Sequence, residues 1–269
     1  MGTLKYTSLV SALWSLRGPA FFVEAEPREL SVRYREAQAP GVPPLADVFV
    51  PRARTGASVV LVHGGGFVLG SRRMKPVRFL TARLTEAGVA VCTIDYRLVF
   101  RGGRLDEAVE DVIDALRFWK ARAPRFALDP ARVSIAGLSA GATLSLLASA
   151  REEVHRAVSV FGLYELDHLQ GVVAGVLPSL VFSSRDRKDW GERSPRQAPQ
   201  PRSPTLLLHG TADGLVPVEQ AYRLRDHRLS LGLPTQLVVY EGAPHGFFSA
   251  PSGVAEDAAR AIARWVDAR

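Results

Sequence analysis

The sequence predicts an α/β protein with a mostly parallel sheet of about eight strands and helices on both faces. Short, almost wholly apolar runs alternate with amphipathic helical runs from residue 57 to the C-terminus. Strands that are buried on both faces have such continuous apolar runs, because helices cover the sheet on either side. The chain has 269 residues, 47% of them hydrophobic, which is enough for one large domain with a substantial core. We therefore expect a single domain over residues 1–269.

The first elements precede this alternating pattern. An amphipathic run over Leu9–Arg17 predicts a short helix. Two strands are predicted next, at Glu29–Arg35 and Leu45–Val50, and the segment Ala39–Pro44 between them has the residues of a turn. We expect these two strands to pair in antiparallel fashion at the beginning of the sheet.

Strands and helices then alternate along the rest of the chain. The predicted strands are Ala57–Val62, Val89–Ile94, Arg132–Ala136, Ala157–Phe161, Thr205–His209 and Gln236–Tyr240. The predicted helices are Lys75–Ala87, Leu105–Arg122, Ala140–Ala150 and Ala255–Ala268. No helix is predicted between the last two strands.

The stretch from Leu163 to Pro204 is too long for an ordinary connection between two core strands. We expect an insertion over the carboxyl edge of the sheet, where open α/β folds bind their ligands. Residues 183–204 are rich in Arg, Pro and Ser, and Trp190 is their only large apolar residue. For residues 184–202, a disordered surface loop is the alternative interpretation.

Charge and cysteine content argue against several classes of function. The net charge is +7, but the arginines are scattered and form no block that would indicate nucleic-acid binding. The single cysteine, Cys92, excludes an internal disulfide and lies in an apolar run typical of a buried, inert thiol. No stretch reaches the roughly 18 apolar residues of a membrane helix, and the N-terminal run lacks the features of a cleaved signal peptide. We therefore expect a cytoplasmic protein.

The most informative motif is Gly-Leu-Ser-Ala-Gly at residues 137–141, where an apolar strand meets a helix. A serine in so sharp a turn has a strained backbone, and only small neighbours avoid a clash with the strand and the helix. The turn exposes the hydroxyl above the sheet, and the helix N-terminus directs free N–H groups toward it. The motif predicts that Ser139 is a nucleophile.

A serine hydroxyl becomes nucleophilic when a base takes its proton and a carboxylate fixes the tautomer of that base. Asp213 and His245 each lie a few residues beyond the carboxyl end of a buried strand, as Ser139 does. The order Ser, Asp, His along the chain is that of the α/β-hydrolase fold. We predict a catalytic triad in which Ser139 is the nucleophile, His245 the base and Asp213 the acid.

Other acidic and histidine side chains fit these roles less well. His209 lies at a strand end before a turn, and we expect a structural role for it. Glu241 lies at a strand end without obvious reach to His245. The remaining alternatives lie in polar helical or loop segments, namely His155, His168, His227, Asp186 and Asp189.

A second motif, His-Gly-Gly-Gly-Phe at residues 63–67, directly follows a buried strand. Consecutive glycines let backbone N–H groups face a substrate without an intervening Cβ. Such donors stabilise the oxyanion that forms in acyl transfer, and each contributes about 100- to 1000-fold in rate. The N–H of Ala140 would add a further donor. A phosphate-binding loop is the alternative, but no Gly-Lys-Ser/Thr follows.

Together with Asp95–Leu98, Asp129–Arg132 and Asp213–Pro217, these motifs resemble those of the hormone-sensitive-lipase-like (bacterial family IV) carboxylesterases. The match covers roughly residues 57–248. The resemblance implies an α/β-hydrolase fold, in which His63 and Tyr96 support the glycine loop rather than react. It also implies a triad of Ser139, Asp213 and His245 and an oxyanion hole formed by Gly65, Gly66 and Ala140. It further implies a small cap formed by residues 1–26 and 163–204, approximately.

Two positions depart from the family pattern. The family usually has aspartate before the serine and glycine after the second glycine, where this chain has Leu138 and Ala142. Leu138 removes a buried polar contact, so the neighbouring network must be rearranged. The region between Ser139 and Asp213 also looks shorter than usual for the family, which suggests a reduced cap and a more open acyl pocket.

The expected function is hydrolysis of short- to medium-chain esters through an acyl-enzyme, with no metal or organic cofactor. Phe67, Leu138 and Leu215 flank the motifs and are predicted to contact the substrate, with ordinary packing as the alternative. Two other functions stay open: an amidase or formamidase on the same fold, and a non-catalytic ligand-binding relative. The sequence predicts no nucleic-acid partner and no membrane span, and it allows a homodimer.

Overall fold

The computed structural model describes residues 20–36, 42–168 and 179–269. The predicted helix over Leu9–Arg17 lies outside the described residues, as do the first half of the predicted turn over Ala39–Pro44 and residues 169–178 of the insertion. All of the motifs that carry the functional prediction lie within the described part of the chain.

The strands of the described chain form one eight-stranded sheet. They are β1 (Glu29–Arg33), β2 (Leu45–Phe49), β3 (Ser58–Val62), β4 (Ala90–Ile94), β5 (Val133–Leu138), β6 (Ala157–Val160), β7 (Thr205–Gly210) and β8 (Thr235–Tyr240). Their order across the sheet is β1-β2-β4-β3-β5-β6-β7-β8. β2 pairs in antiparallel fashion with β1 and with β4, and the other neighbours are parallel. The predicted antiparallel pair and the mostly parallel sheet are confirmed.

Helices connect the parallel strands. They are α1 (Lys75–Glu86), α2 (Leu105–Arg122), α3 (Ala140–Ser149), α4 (Arg187–Arg193), α5 (Glu219–Ser230) and α6 (Gly253–Asp267). Local hydrogen bonds fix their beginnings: the Arg104 N–H donates to Glu107 Oε2 at α2, and the Ala255 N–H donates to Ser252 Oγ at α6. Within the residues that the structure describes, no helix is both long enough and apolar enough to cross a membrane.

Strands β3 to β7 are buried on both faces, as their apolar sequences predict. Alternate residues of β3 point in opposite directions, so Val60 packs with side chains of α2 and α3, whereas Leu61 packs with side chains of α1 and α6. Burial of one such side chain stabilises the fold by about 1.5–3 kcal/mol. Cys92 is buried within β4, where desolvation raises the pKa of its thiol, so the predicted inert thiol agrees with its surroundings.

Two helices of the structure, α4 and α5, are absent from the sequence prediction. The structure has α5 between β7 and β8, where no helix was expected. Two of the buried residues of α5, Ala221 and Leu224, are apolar, but the other two, Gln220 and Arg228, are polar. Apolar periodicity is the main sequence signal of a helix, and polar side chains at buried positions weaken that signal.

The insertion is packed onto the domain in its described part. Asp186 caps α4 by accepting the Lys188 N–H at 2.9 Å, and Trp190 is only 4% exposed. The indole N–H of Trp190 donates to the Ser184 carbonyl at 2.9 Å. Residues 184–202 therefore include a helix with a buried aromatic side chain, and the alternative of a disordered loop does not describe them.

Candidate active site

Ser139 occupies the tight turn between β5 and α3, with φ of +53° and ψ of −118°. A positive φ is strained for a residue with a side chain. Close packing requires the flanking glycines: a Cβ on Gly137 would lie 2.1 Å from the Gly141 carbonyl oxygen, and one on Gly141 would lie 2.4 Å from the Val62 carbonyl oxygen. The motif at residues 137–141 forms the strained turn that it predicts.

The imidazole of His245 lies between Ser139 and Asp213. Its Nε2 is 2.9 Å from Ser139 Oγ, and its Nδ1 is 2.7 Å from Asp213 Oδ2. An ionised carboxylate can only accept, so the Nδ1–H donates to it and the lone pair of Nε2 faces the serine hydroxyl. The structure thus brings together the three residues predicted as a triad, in a geometry that permits proton transfer from serine to histidine.

Parallel strands explain why these distant residues meet. The carboxyl ends of β5, β7 and β8 lie at one edge of the sheet, and each of the three residues closely follows one of these ends. The loops after β7 and β8 also contact each other, since the Ala212 N–H donates to the Ala243 carbonyl at 3.1 Å. This bond keeps Asp213 and His245 in register.

The carboxylate of Asp213 is buried and surrounded by donors. Its Oδ1 accepts the backbone N–H groups of Leu215 at 2.9 Å and Val216 at 2.8 Å. Its Oδ2 accepts from His245 and lies 3.1 Å from Nε2 of His209. Burial raises the pKa of Asp213, but contacts with His209, His245 and the Val216 N–H outweigh burial and hold that pKa well below its usual range. Asp213 is therefore ionised at neutral pH.

The glycine loop lies beside the nucleophile. A Cβ on Gly64 would come within 3.2 Å of Ser139 Cβ, so the backbone of the loop contacts the serine turn directly. Gly65 and Gly66 have φ of +122° and +61°, and a Cβ on Gly66 would meet no atom within 4 Å. Ala140 begins α3, where backbone N–H groups have no acceptor within the helix. Open space next to free N–H groups is what an oxyanion site needs.

His63 and Tyr96 lie behind this loop. Their rings stack with centroids 4.3 Å apart, and the Tyr96 hydroxyl donates to the His63 carbonyl at 3.2 Å. His63 Nδ1 is 2.7 Å from the Gly64 carbonyl oxygen, to which it donates. Burial lowers the pKa of His63, so its ring is neutral. Through these contacts, His63 and Tyr96 support the glycine loop.

The side chains predicted to contact the substrate differ in exposure. Phe67 and Leu138 are each only 2% exposed and pack in the two hydrophobic clusters of the core, whereas Leu215 is 53% exposed. Leu138, which replaces the polar residue usual in the family, lies among apolar side chains. For Phe67 and Leu138, their burial favours the alternative of ordinary packing.

None of the alternative acid and base residues contacts the Ser139 hydroxyl, and His209 contacts Asp213 instead. Glu241 is exposed. His155 contacts the Ala268 carbonyl, His168 is 67% exposed, His227 lies on α5, Asp186 caps α4, and Asp189 pairs with Arg193. These positions support the choice of His245 and Asp213.

Two contacts of the site were not predicted. The ring of Phe161 packs against the His245 imidazole at 4.9 Å, with φ of +39° at Phe161. His209 reaches the Asp213 carboxylate from the end of β7. The signal available for His209 was its position four residues before Asp213, with a turn between them. Phe161 offered only its position at the end of a buried strand.

Comparisons with known proteins point to esterases. Residues 46–174 match the BD-FAE family. Esterase LipC of Mycobacterium tuberculosis is 31% identical over 219 residues, which cover 70% of this chain and 52% of that protein. The isoprenylcysteine alpha-carbonyl methylesterase ICME of Arabidopsis thaliana is 27% identical over 230 residues, which cover 74% of this chain and 53% of that protein. The chain thus spans about half the length of the curated relatives it matches.

The solved structures include a hormone-sensitive lipase from a metagenome library. It matches with a TM-score of 0.76 at 20% identity, over 100% of this chain and 94% of that one. At this identity the likeness establishes the fold, which agrees with the eight-stranded sheet described above. The sheet and this structural match show that the chain has the α/β-hydrolase fold, and its motifs are similar to those of the hormone-sensitive-lipase-like esterases.

Proposed function

We propose that this protein is a serine carboxylesterase, which hydrolyses carboxylic esters through an acyl-enzyme intermediate. One observation carries the proposal: the hydrogen-bonded series from Ser139 Oγ to His245 Nε2, at 2.9 Å, and from His245 Nδ1 to Asp213 Oδ2, at 2.7 Å. The relatives named as esterases support the same class of reaction.

In the first half-reaction, His245 Nε2 takes the proton of Ser139 as Oγ attacks the ester carbonyl carbon. The ionised Asp213 stabilises the imidazolium that forms. Negative charge develops on the carbonyl oxygen, and we assign its stabilisation to the backbone N–H groups of Gly65, Gly66 and Ala140. The imidazolium then protonates the leaving ester oxygen as the bond between that oxygen and the acyl carbon breaks, so the alcohol departs and the acyl group stays on Ser139.

In the second half-reaction, water replaces the alcohol. His245 takes a proton from this water as its oxygen attacks the acyl-enzyme, and the same N–H groups meet the second oxyanion. Collapse of the intermediate breaks the bond to Ser139 Oγ, which recovers its proton from His245. The products are a carboxylic acid and a free serine: the proton of Ser139 leaves with the alcohol, and a proton from the water restores the hydroxyl.

We also propose that residues 1–26 and 163–204, approximately, form a small cap on a single catalytic domain, and that the acyl chains accepted are short to medium. The exposed side chain of Leu215, close to Asp213, supports a substrate contact at the mouth of the site. For Phe67 and Leu138, burial supports a role in packing beneath the glycine loop and the serine turn.

Replacement of the nucleophile tests the proposed reaction. We expect Ser139→Ala to lower kcat on p-nitrophenyl butyrate by at least about 10,000-fold while the protein stays folded, because no other group takes over the attack. The control is Ser230→Ala, which removes an exposed hydroxyl bonded to the His227 carbonyl and should leave kcat unchanged. An unaltered rate in Ser139→Ala would refute the assignment.

The same assay separates the alternatives. An amidase would cleave a p-nitroanilide at a readily measured rate as well as the p-nitrophenyl ester of the same acid, whereas a carboxylesterase would cleave the ester and leave the anilide essentially intact. A non-catalytic relative would cleave neither substrate. A phosphonate ester that labels Ser139, detected by mass spectrometry, measures the reactivity of the nucleophile without a choice of natural substrate.

Two further proposals come from the sequence. We propose a cytoplasmic location, and we retain a homodimer as the oligomeric state to be tested. Light scattering on the purified protein measures the second, and a mass that matches one chain would exclude the homodimer.

A further inference from the structure

A second histidine lies on the side of Asp213 that faces away from the serine. His209, at the end of β7, is fully buried. Its Nε2 is 3.0 Å from the Val216 carbonyl oxygen and 3.1 Å from Asp213 Oδ2. The reaction proposed above makes no use of this side chain, although it touches the same carboxylate oxygen that accepts from His245.

The surroundings of His209 fix its tautomer. Both oxygens near Nε2 are acceptors, so Nε2 must carry a proton. The other nitrogen, Nδ1, is buried and has no hydrogen-bond partner among the described residues. A second proton on Nδ1 would create a buried cation without an acceptor at that atom, which is unfavourable. His209 therefore donates through its Nε2–H.

Through this N–H, His209 holds the turn that carries the carboxylate. It donates to the Val216 carbonyl, and the Val216 N–H donates to Asp213 Oδ1 at 2.8 Å. The N–H dipole of His209 also lies beside Oδ2, which it attracts. One oxygen of Asp213 is thus held through Val216, and the other lies between the rings of His209 and His245.

We propose that His209 is a positioning residue for the esterase reaction: it holds the Asp213 carboxylate so that Oδ2 faces His245, and it draws part of the negative charge away from His245. This inference rests on the proposed function, because it assigns His209 a role in the same proton transfer.

The charged and titratable groups around this carboxylate are few. His245 contacts Oδ2 directly, and the buried phenol of Tyr164 senses the charge of Asp213. Burial raises the pKa of Tyr164 to about 12, so it stays neutral throughout the assay range. Changes in the acidic limb of the pH–rate profile therefore do not come from Tyr164.

Three variants of His209 separate the effect of its Nε2–H donor from the effect of the space that its ring occupies. His209→Gln retains an N–H at the reach of Nε2, His209→Met fills the space without a donor, and His209→Asn keeps an amide whose nitrogen overlays Nδ1 and falls short of Asp213. We expect kcat to fall about tenfold in the Met and Asn variants, with KM little changed, and to recover largely in the Gln variant. In the His209→Met and His209→Asn variants, the acidic limb of the pH profile of kcat/KM should move to higher pH. A carboxylate of Asp213 with one donor fewer stabilises the imidazolium of His245 more.

A measurement without substrate tests the role of His209 separately from the proposed esterase function. The His245 Nδ1–H gives a low-field proton NMR signal through its bond to Asp213, and His245→Gln assigns that signal by abolishing it. We expect the signal to be retained in His209→Gln and to shift or broaden in the Met and Asn variants. If the wild type shows the signal but no esterase activity, the esterase proposal fails while the positioning of Asp213 is still measured.

The control is His155→Gln, which alters a histidine that contacts the Ala268 carbonyl away from the site and should leave kcat and the low-field signal unchanged. Two results would overturn the inference. One is a Met or Asn variant with the wild-type pH profile and signal. The other is a His209→Gln variant as impaired as His209→Met, which would mean that the Nε2–H donor does not account for the effect of His209.

Discussion

Around the predicted nucleophile, backbone strain is concentrated in single residues. Phe67, Ser139 and Phe161 have positive φ values of +65°, +53° and +39°. Each such conformation costs on the order of 1–3 kcal/mol and persists only where the surrounding structure enforces it. Phe161 is enforced from both sides: its N–H donates to the Leu208 carbonyl at 2.7 Å, and its ring packs against His245. These three strained residues thus lie around the site of the proposed reaction.

Removal of the Phe161 ring should affect both stability and catalysis. We expect Phe161→Ala to lower the free energy of unfolding by about 3 kcal/mol, because a buried aromatic side chain leaves a cavity. We also expect kcat to fall by about tenfold or more, because His245 loses the ring that limits its motion. Urea unfolding and ester hydrolysis measure the two effects.

The control for this variant is Phe126→Ala, whose ring stacks on Trp119 at 5.8 Å and lies away from His245. It should destabilise the fold and leave kcat of the folded protein unchanged. A Phe161→Ala enzyme with wild-type kcat would show that the ring does not position the base.

Sequence patterns identified some residues of the site and not others, for a physical reason. Ser139, Asp213 and His245 were predictable because each closely follows a buried parallel strand, which places it at one edge of the sheet. The contacts of Phe161 and His209 depend on which way their side chains point after the chain turns. No local pattern encodes that direction, so these contacts appear only in the folded structure.

Among the secondary-structure elements, the strands were predicted more accurately than the connections between them. Strands and helices with apolar periodicity were found within one or two residues of their predicted ends, as for α2 over Leu105–Arg122. In α5, Gln220 accepts the backbone N–H groups of Tyr164 and Glu165 at 2.8 and 3.0 Å, and the buried Arg228 donates to the Pro201 carbonyl at 3.1 Å. Buried polar side chains that bond to other segments remove the pattern on which the prediction depends.

The start and the end of the described insertion are joined through a buried carboxylate. Glu165 pairs with Arg196 and with Arg223 of α5, each at 2.5 Å. The carboxylate is buried, and its loss removes both ion pairs at once, although the two arginines are partly exposed and stay solvated. Glu165 therefore links the region proposed as a cap to the domain beneath it.

This link yields a prediction for one element. We expect Glu165→Gln to lower the free energy of unfolding by about 1–3 kcal/mol and to speed amide hydrogen exchange in α4 more than in α2. The matched control is Glu192→Gln, which removes an ion pair with Lys188 between two exposed side chains and should cost less than about 1 kcal/mol. Equal exchange in α4 for the wild type and Glu165→Gln would contradict the link.

At the scale of the whole molecule, the sheet sets where chemistry can occur. Its parallel strands place the serine turn and the loops after β7 and β8 at one edge, while helices bury both faces. The depth of the acyl site is then limited by what covers that edge. The described part of the insertion contributes α4, a helix of seven residues, to the cap that we propose to be small.

A small cap predicts a limit on acyl-chain length. Each methylene that leaves water stabilises the bound state by about 0.8 kcal/mol, so kcat/KM should rise roughly fourfold per carbon while the site can still bury the added group. Beyond that length the chain stays in water and the rise should stop. For p-nitrophenyl esters from acetate to palmitate, we expect the maximum at about two to eight carbons, since a reduced cap buries only a short chain. Strong hydrolysis of emulsified long-chain triglycerides would show instead that the site accepts long acyl chains, and the cap would then have to be larger or more mobile than proposed.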